Sequence, residues 1–148
     1  MRKKRPLERT PGMLRDTTLI IIASEDRYAV KQYFEMFRSN RIKIRVLGTE
    51  DNNSSPSHVM ARLEKYMKEY HFGEGDIFWL VCDTDHWIEP NHISNLTKVL
   101  QLCNQKGIKV ALSNPCFDLW LLLHFAEFPQ DDELNCNEVG NKIREAVG

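Results

Sequence analysis

The residue pattern that points most directly to chemistry is a pair of aspartates at the end of an apolar run. Asp83 and Asp85 follow the segment Ile-Phe-Trp-Leu-Val-Cys at positions 77–82, which is typical of a β-strand buried on both faces. Side chains two residues apart in an extended chain point the same way, so the two carboxylates converge and repel each other. A divalent cation at the carboxyl end of a strand would offset that repulsion. The alternative is a pair of solvated loop acids.

A further acid, Glu25, follows another apolar segment, Thr-Thr-Leu-Ile-Ile-Ile-Ala-Ser at positions 17–24. If both segments are strands of one parallel sheet, their carboxyl ends share an edge, and Glu25 can approach the aspartate pair. Carboxylates so placed hold Mg²⁺ or Mn²⁺, which neutralises a phosphate and activates water or a hydroxyl. Glu25 could ligate the metal or act as general acid/base. The alternative is an ordinary acid at the start of a helix capped by Ser24.

The segment of residues 113–125, Ser-Asn-Pro-Cys-Phe-Asp-Leu-Trp-Leu-Leu-Leu-His-Phe, is apolar nearly throughout. It predicts a helix with Asn114 as N-cap and Pro115 as first residue, buried because its apolar residues surround it. Asp118 lies in the first turn of this helix. One interpretation is that the helix dipole stabilises its carboxylate; the other is that it serves as a third acid aimed at the metal. His124 lies about two turns into the helix and is interpreted as a histidine of the core.

Apolar periodicity along the rest of the chain predicts strands alternating with helices. The strands are predicted at residues 17–24, 42–47, 77–82 and 108–112. The second of them alternates apolar and basic residues, so we expect a half-exposed or edge strand. Helices are predicted between the strands, around residues 30–37, 56–70 and 93–106. The order βαβαβαβ predicts an α/β fold with a parallel four-stranded sheet flanked by helices.

The composition is typical of one soluble globular domain. The 148 residues are 42% hydrophobic and 28% charged, with a net charge of −1, so the domain as a whole carries no excess of positive charge that would attract polyanions. No apolar run approaches the roughly 20 residues of a membrane span, and no secretory signal is expected. The scattered spacing of the four cysteines argues against a zinc knuckle or a disulfide framework, and for reduced thiols in the cytoplasm.

Positive charge is concentrated at the N-terminus. The first five residues include Arg2, Lys3, Lys4 and Arg5, which could neutralise nucleic-acid phosphates; the alternative is a passive tail. We therefore divide the chain into a basic arm (residues 1–16), a catalytic domain (17–128) and a C-terminal extension (129–148). One interpretation of the extension is that it is truncated.

Several of these residues form motifs that resemble those of a known family. Glu25 followed by Asp83-Thr-Asp85 looks like the Toprim domain of topoisomerases, primases and nucleases. More closely, the chain resembles the RloB-like family of Toprim-related proteins encoded beside bacterial restriction–modification and abortive-infection loci. The strongest match is residues 113–125, which follow that family's pattern Ser-Asn-Pro-x-Phe-acid-x-Trp-x-Leu-x-His-Phe. The resemblance covers roughly residues 19–128.

The resemblance implies a Toprim-like (Rossmann-like) fold and a function. It implies a Mg²⁺- or Mn²⁺-dependent phosphodiesterase, a nuclease of bacterial antiphage defence that acts on DNA or on RNA such as tRNA. Implied partners are nucleic acid and a partner ATPase of a defence operon, with self-association as an option and no membrane. Glu25, Asp83 and Asp85 would be catalytic and, with Asp118, would hold the metal. The supporting residues would be Asp26, Ser113, Asn114 and His124.

The first motif departs from the family pattern Glu-Gly-x-x-Thr-Glu-x-x-Tyr-Phe. Asp26 stands in place of the glycine, Ala29 in place of the threonine and Val30 in place of the second glutamate. These departures favour an alternative, a non-catalytic binding or regulatory subunit. A receiver-like or haloacid-dehalogenase-like domain would instead phosphorylate Asp83 and hold the phosphate with Ser113, but no further strand with a lysine follows Ser113.

Overall fold

The structure, a computed structural model, describes residues 17–50, 52–85, 87, 92–127 and 134–148. The predicted basic arm therefore lies outside the described residues. The described elements follow in the order β1 (Thr18–Ser24), α1 (Ala29–Glu35), β2 (Ile42–Leu47), α2 (Pro56–Glu69), β3 (Ile77–Asp83), α3 (Ile93–Lys106), β4 (Lys109–Ser113), α4 (Asp118–Leu122) and α5 (Cys136–Val147).

The four strands form one sheet in the order β2-β1-β3-β4, and every pair is parallel. Each strand lies within one residue of the bounds that hydrophobic patterning predicts. β1 and β3 are neighbours in the centre of the sheet, with Ser24 opposite Val81. This arrangement confirms the predicted α/β fold with a parallel four-stranded sheet, and it is Rossmann-like. Its assignment to the Toprim fold stays a prediction.

One side of the sheet, which we name the closed face, is covered by α2 and α3. Both helices are 14 residues long; Ser55 caps the start of α2, and Gly107 ends α3 in the left-handed conformation. Their apolar stripes pack on the alternate residues of β1 and β3. The buried core of this face comprises Leu19, Ile21, Ala23, Val59, Met60, Leu63, Leu80, Cys82, Val99, Cys103 and Ile108.

The other side, which we name the open face, is covered by the short helices α1 and α4, of seven and five residues. Its core cluster consists of Ile22, Val30, Val46, Val81 and Phe117. Several aromatic side chains beside it stay half-exposed, including Phe37 at 55%, Trp120 at 48% and Phe125 at 62%. Two short helices cannot cover a face that two long ones cover on the opposite side.

The structure of residues 113–125 differs from the predicted helix in two respects. Asn114 is not its N-cap and Pro115 is not its first residue, because α4 begins only at Asp118, with Phe117 in the N-cap position. The Asn114–Pro115 peptide bond is cis. The expected complete burial was also wrong. α4 lies with one side on the sheet, where Leu122 is buried, while Trp120 points outward on the open face.

The expectation that all four cysteines are reduced thiols was wrong as well. Cys116 and Cys136 form a disulfide with a Cα–Cα distance of 5.8 Å, while Cys82 and Cys103 are free and buried. The fold brings the start of α5 beside the start of α4, so residues 20 positions apart in sequence meet. A capping box of Asn135 and Glu138 fixes the start of α5.

Within the described part of the chain, no helix is long and apolar enough to cross a membrane.

Candidate metal centre

Three acidic side chains meet at the carboxyl edge of the two central strands. Glu25 follows the last residue of β1, Asp83 is the last residue of β3, and Asp85 lies two residues further on. A carboxylate oxygen from each lies within 4.8 Å of one from each of the others. The adjacency of β1 and β3 produces this cluster, as their sequence pattern predicts. We name these three residues the carboxylate cluster.

Both carboxylate oxygens of Glu25 accept hydrogen bonds, one from the last residue of β3 and one from the loop that follows it. The backbone N–H of Asp83 donates to Oε1 at 2.5 Å, and the indole Nε1–H of Trp87 donates to Oε2 at 3.1 Å. These two donors fix the orientation of the Glu25 carboxylate across the β1–β3 junction. Sequence reasoning missed Trp87. The signal in the sequence is its position two residues after an aspartate pair. An indole can only donate hydrogen bonds, so a carboxylate is a suitable partner for it.

Asp83 is positioned from the other side, by the segment that precedes α4. The backbone N–H of Phe117 donates to Asp83 Oδ1 at 2.9 Å. Pro115 accepts at its carbonyl from the backbone N–H of Asp85 at 3.1 Å. The loop that carries both aspartates is therefore clamped by residues 113–117.

Ser113 and Asn114, predicted to support the site, belong to this clamp. The carbonyl of Ser113 accepts from the backbone N–H of Thr84 at 2.9 Å. The side-chain oxygen of Asn114 accepts from the Thr84 hydroxyl at 3.0 Å. Both residues therefore hold the residue between the two aspartates, and they act on the carboxylate cluster through the backbone.

Burial dominates the electrostatics of the cluster. Desolvation raises the pKa of Asp83 to about 8, with the nearby Glu25 carboxyl as the next cause, and the Phe117 N–H opposes the shift. Desolvation also raises the pKa of Glu25, although its hydrogen bonds from Asp83 and Trp87 act in the opposite direction. Both shifts show that negative charge is disfavoured here without a compensating cation.

The donor set fits Mg²⁺ or Mn²⁺. It consists of carboxylate oxygens only, the hard ligands that these cations prefer. The oxygens already lie close to one another, and the raised pKa values reflect the burial of negative charge, which a divalent cation would offset.

Asp118, predicted as a further metal ligand, does not belong to the carboxylate cluster. It belongs to a second group of potential ligand atoms with Cys116 and Cys136, whose sulfurs are joined to each other in the disulfide. Burial raises the pKa of Asp118, and the negative charge of Asp26 adds to the effect. Asp118 thus lies at the same edge, one residue beyond the Phe117 N–H that holds Asp83.

Asp26 and His124, also predicted to support the site, have structural contacts of their own. Asp26 Oδ1 accepts from the backbone N–H groups of Tyr28 and Ala29 at the start of α1. Tyr28 is the N-cap residue of α1, so Asp26, and not Ser24, supplies the side-chain acceptor just before this helix. His124 is exposed rather than buried, and its ring nitrogens contact the Trp120 carbonyl and the Tyr33 hydroxyl.

The fold and the cluster together define a class, an α/β protein with a Rossmann-like parallel sheet and an acidic site at its carboxyl edge. A family model described as RloB-like protein matches residues 20–148. The chain therefore belongs to the RloB-like family. No curated protein and no solved structure matches the chain.

Proposed function

We propose that this protein is a Mg²⁺- or Mn²⁺-dependent phosphodiesterase, a nuclease acting on DNA or RNA, with tRNA among the candidate substrates. The observation that carries the proposal is the convergence of Glu25, Asp83 and Asp85 at one edge of the sheet. Half-buried carboxylates that repel one another at the carboxyl ends of parallel strands are the arrangement that metal-assisted phosphoryl chemistry uses.

The residues of the site have distinct parts in the proposed reaction. Asp83 and Asp85 hold the cation, which when bound neutralises a phosphate oxygen and lowers the pKa of a water molecule. Glu25 would complete the metal shell or transfer a proton, and burial raises the pKa of its carboxyl, which favours the protonated form. Trp87 and the Phe117 N–H keep Glu25 and Asp83 in fixed orientations.

The setting we propose is bacterial antiphage defence by abortive infection, in the cytoplasm, where a disulfide such as Cys116–Cys136 is uncommon. Membership of the RloB-like family supports it. The proposed partners are the nucleic-acid substrate and a partner ATPase of a defence operon; self-association is a further option.

A cleavage assay tests the proposed activity. Labelled single-stranded DNA, duplex DNA, RNA and tRNA are incubated with the protein in Mg²⁺, in Mn²⁺ and in EDTA. We expect cleavage only with a cation, and a loss of about 10²-fold or more in Glu25→Gln and Asp83→Asn, because each removes a charge that stabilises the metal. Glu74→Gln is the matched control, since Glu74 is an exposed acid in the turn before β3. Equal activity of Asp83→Asn and Glu74→Gln would contradict the proposal.

One observation favours a second candidate, a metal-binding regulatory subunit without catalysis. Val30, which stands where the family pattern carries its second glutamate, is only 1% exposed and belongs to the core of the open face. The site thus lacks that acidic group. This candidate predicts cation binding by the carboxylate cluster but no cleavage of any of the four substrates, with or without the partner ATPase.

A further inference from the structure

A basic groove runs along the outer edge of the sheet beside β2. It has a volume of about 780 Å³, and β2 is an edge strand of the described sheet. The described residues that line it include three acids, Glu35, Glu50 and Glu69, and twice as many cations. The cations are Arg27, Lys31, Lys43, Arg45, Arg62 and Lys65. An excess of three positive charges thus stands in a chain whose net charge is −1. We name this feature the β2 groove.

The cations of β2 occupy positions where a sheet normally buries apolar residues. Lys43 is opposite Leu19 and Arg45 is opposite Ile21 in the β1–β2 register, and both β1 residues are buried in the closed-face core. Lys43 and Arg45 are nevertheless exposed. The closed-face core therefore reaches β2 only at Leu47, and Lys43 and Arg45 extend beyond it as a cationic ledge.

Arg27 and Arg62, two arginines of the groove, keep their charge available for an anion. Arg27 donates to the carbonyls of Thr49 and Glu50, at 3.2 and 2.8 Å. Arg62 donates to the carbonyl of Ser24 at 3.1 Å. These acceptors are neutral, so they orient the guanidinium groups without neutralising them.

The lysines of the groove are paired only weakly. Lys31 lies 3.9 Å from Glu35, and Lys65 lies 4.0 Å from Glu69. All four side chains are at least half-exposed, and exposed pairs of this kind contribute little. Phosphate groups can therefore compete with these glutamates for the lysines.

Two arginines of the groove adjoin Glu25 through the backbone or along the chain, and the groove also offers aromatic surface. Arg62 binds the carbonyl of the residue just before Glu25, and Arg27 lies two residues after Glu25. Tyr66 and Tyr70 line the groove and stack on each other, with ring centroids 4.5 Å apart. Cations that follow a backbone, together with rings on which bases stack, are the features of single-strand binding surfaces.

We propose that the β2 groove binds single-stranded nucleic acid through its phosphate backbone and directs it to the carboxylate cluster. This inference rests on the proposed function in that the bound strand is the substrate. The groove recognises features that RNA and DNA share, so the two are compared as separate arms of the test.

The test measures binding by fluorescence anisotropy in EDTA, where no cleavage interferes. Labelled single-stranded RNA and DNA are titrated with the wild type, with Lys43→Glu/Arg45→Glu, and with Lys98→Glu/Arg144→Glu. The last variant is the matched control, because it makes the same charge change at exposed positions outside the groove lining. Circular dichroism checks the fold, and Lys43→Gln/Arg45→Gln replaces the first variant if it does not fold.

We expect the groove variant to bind at least about tenfold more weakly than the control variant, with a salt slope smaller by about 1.4, since each single-strand phosphate contact adds about 0.7. Equal losses in the two double variants, or no loss in either, would overturn the inference. If the groove variant loses affinity for RNA alone, RNA is the strand that the groove prefers. If it loses affinity for DNA alone, DNA is the preferred strand.

The outcome separates this inference from the proposed function. Binding that depends on the groove, in a protein that cleaves nothing, would support the groove and refute the nuclease. Cleavage with an unchanged KM in the groove variant would support the nuclease and refute the groove.

Discussion

Burial has opposite consequences in the closed face and at the carboxyl edge of the same sheet. In the closed face it removes apolar side chains such as Leu63 and Leu80 from water, which stabilises the fold. At the carboxyl edge it removes Glu25 and Asp83 from water and raises the pKa of both. The closed face is complete by itself, whereas the carboxyl edge becomes favourable only with a proton or a cation. That difference makes the edge the candidate functional region.

The largest expected effect on stability concerns the closed face. Leu63 is fully buried in it, so Leu63→Ala should lower the free energy of unfolding by roughly 2–5 kcal/mol. Leu123→Ala is the matched control, because Leu123 is 40% exposed on the open face. Urea unfolding in EDTA measures both. Equal losses in the two variants would show that the two faces do not differ in packing as described.

The next effect concerns the disulfide that ties α5 to the start of α4. Its loss frees a loop of 20 residues, so Cys116→Ala/Cys136→Ala should lower the free energy of unfolding by about 3 kcal/mol. Thermal unfolding with and without a reductant provides the check. The reductant should lower the Tm of the wild type and leave that of the double variant unchanged; an unaffected wild type would contradict the pairing.

A smaller effect should appear in the pH dependence of the metal-free protein. Because the pKa of Asp83 is raised to about 8 from an ordinary 3.8, the unfolded chain ionises this carboxyl at lower pH than the folded protein does. Stability is therefore lost as pH rises from about 4 through 8. The Tm in EDTA should fall over this range, and Asp83→Asn should flatten the fall.

Two additional measurements sharpen that pH experiment. Adding Mn²⁺ at pH 8 should restore much of the Tm of the wild type but little of that of Asp83→Asn. Glu74→Gln should follow the wild type throughout. A wild-type Tm that rises between pH 5 and 8 in EDTA would mean that the edge is not electrostatically strained.

The smallest effect concerns Trp87, whose indole N–H donates to Glu25 Oε2. That hydrogen bond lowers the pKa of Glu25, so Trp87→Phe should raise it further and strengthen proton competition with the cation. We expect Mn²⁺ affinity to fall by up to about tenfold, more at pH 6 than at pH 8. Calorimetric titration at the two pH values decides this, and an equal loss at both would exclude proton competition as the cause.

Hydrophobic patterning predicted the four strands because strands at the centre of a parallel sheet are apolar on both sides. It also predicted that Glu25 would meet Asp83 and Asp85, because adjacent parallel strands end at one edge. Both predictions depend only on the local pattern of apolar residues and on the order of the strands along the chain.

The features that the sequence did not predict depend on tertiary contacts. The disulfide joins cysteines that the packing of α5 on α4 brings together, and Trp87 reaches Glu25 through the path of a loop. The exposure of Trp120 depends on how much of the sheet two short helices cover. Apolar composition alone cannot show that one side of α4 faces solvent.

The central claim is that the carboxylate cluster binds a divalent cation, and calorimetric titration with Mn²⁺ tests it most directly. We expect saturable binding to the wild type and to Glu74→Gln, and at least about tenfold weaker binding to Asp83→Asn. Mn²⁺ affinity that is the same in the wild type, Glu74→Gln and Asp83→Asn, or no binding to the wild type at pH 8, would contradict the account.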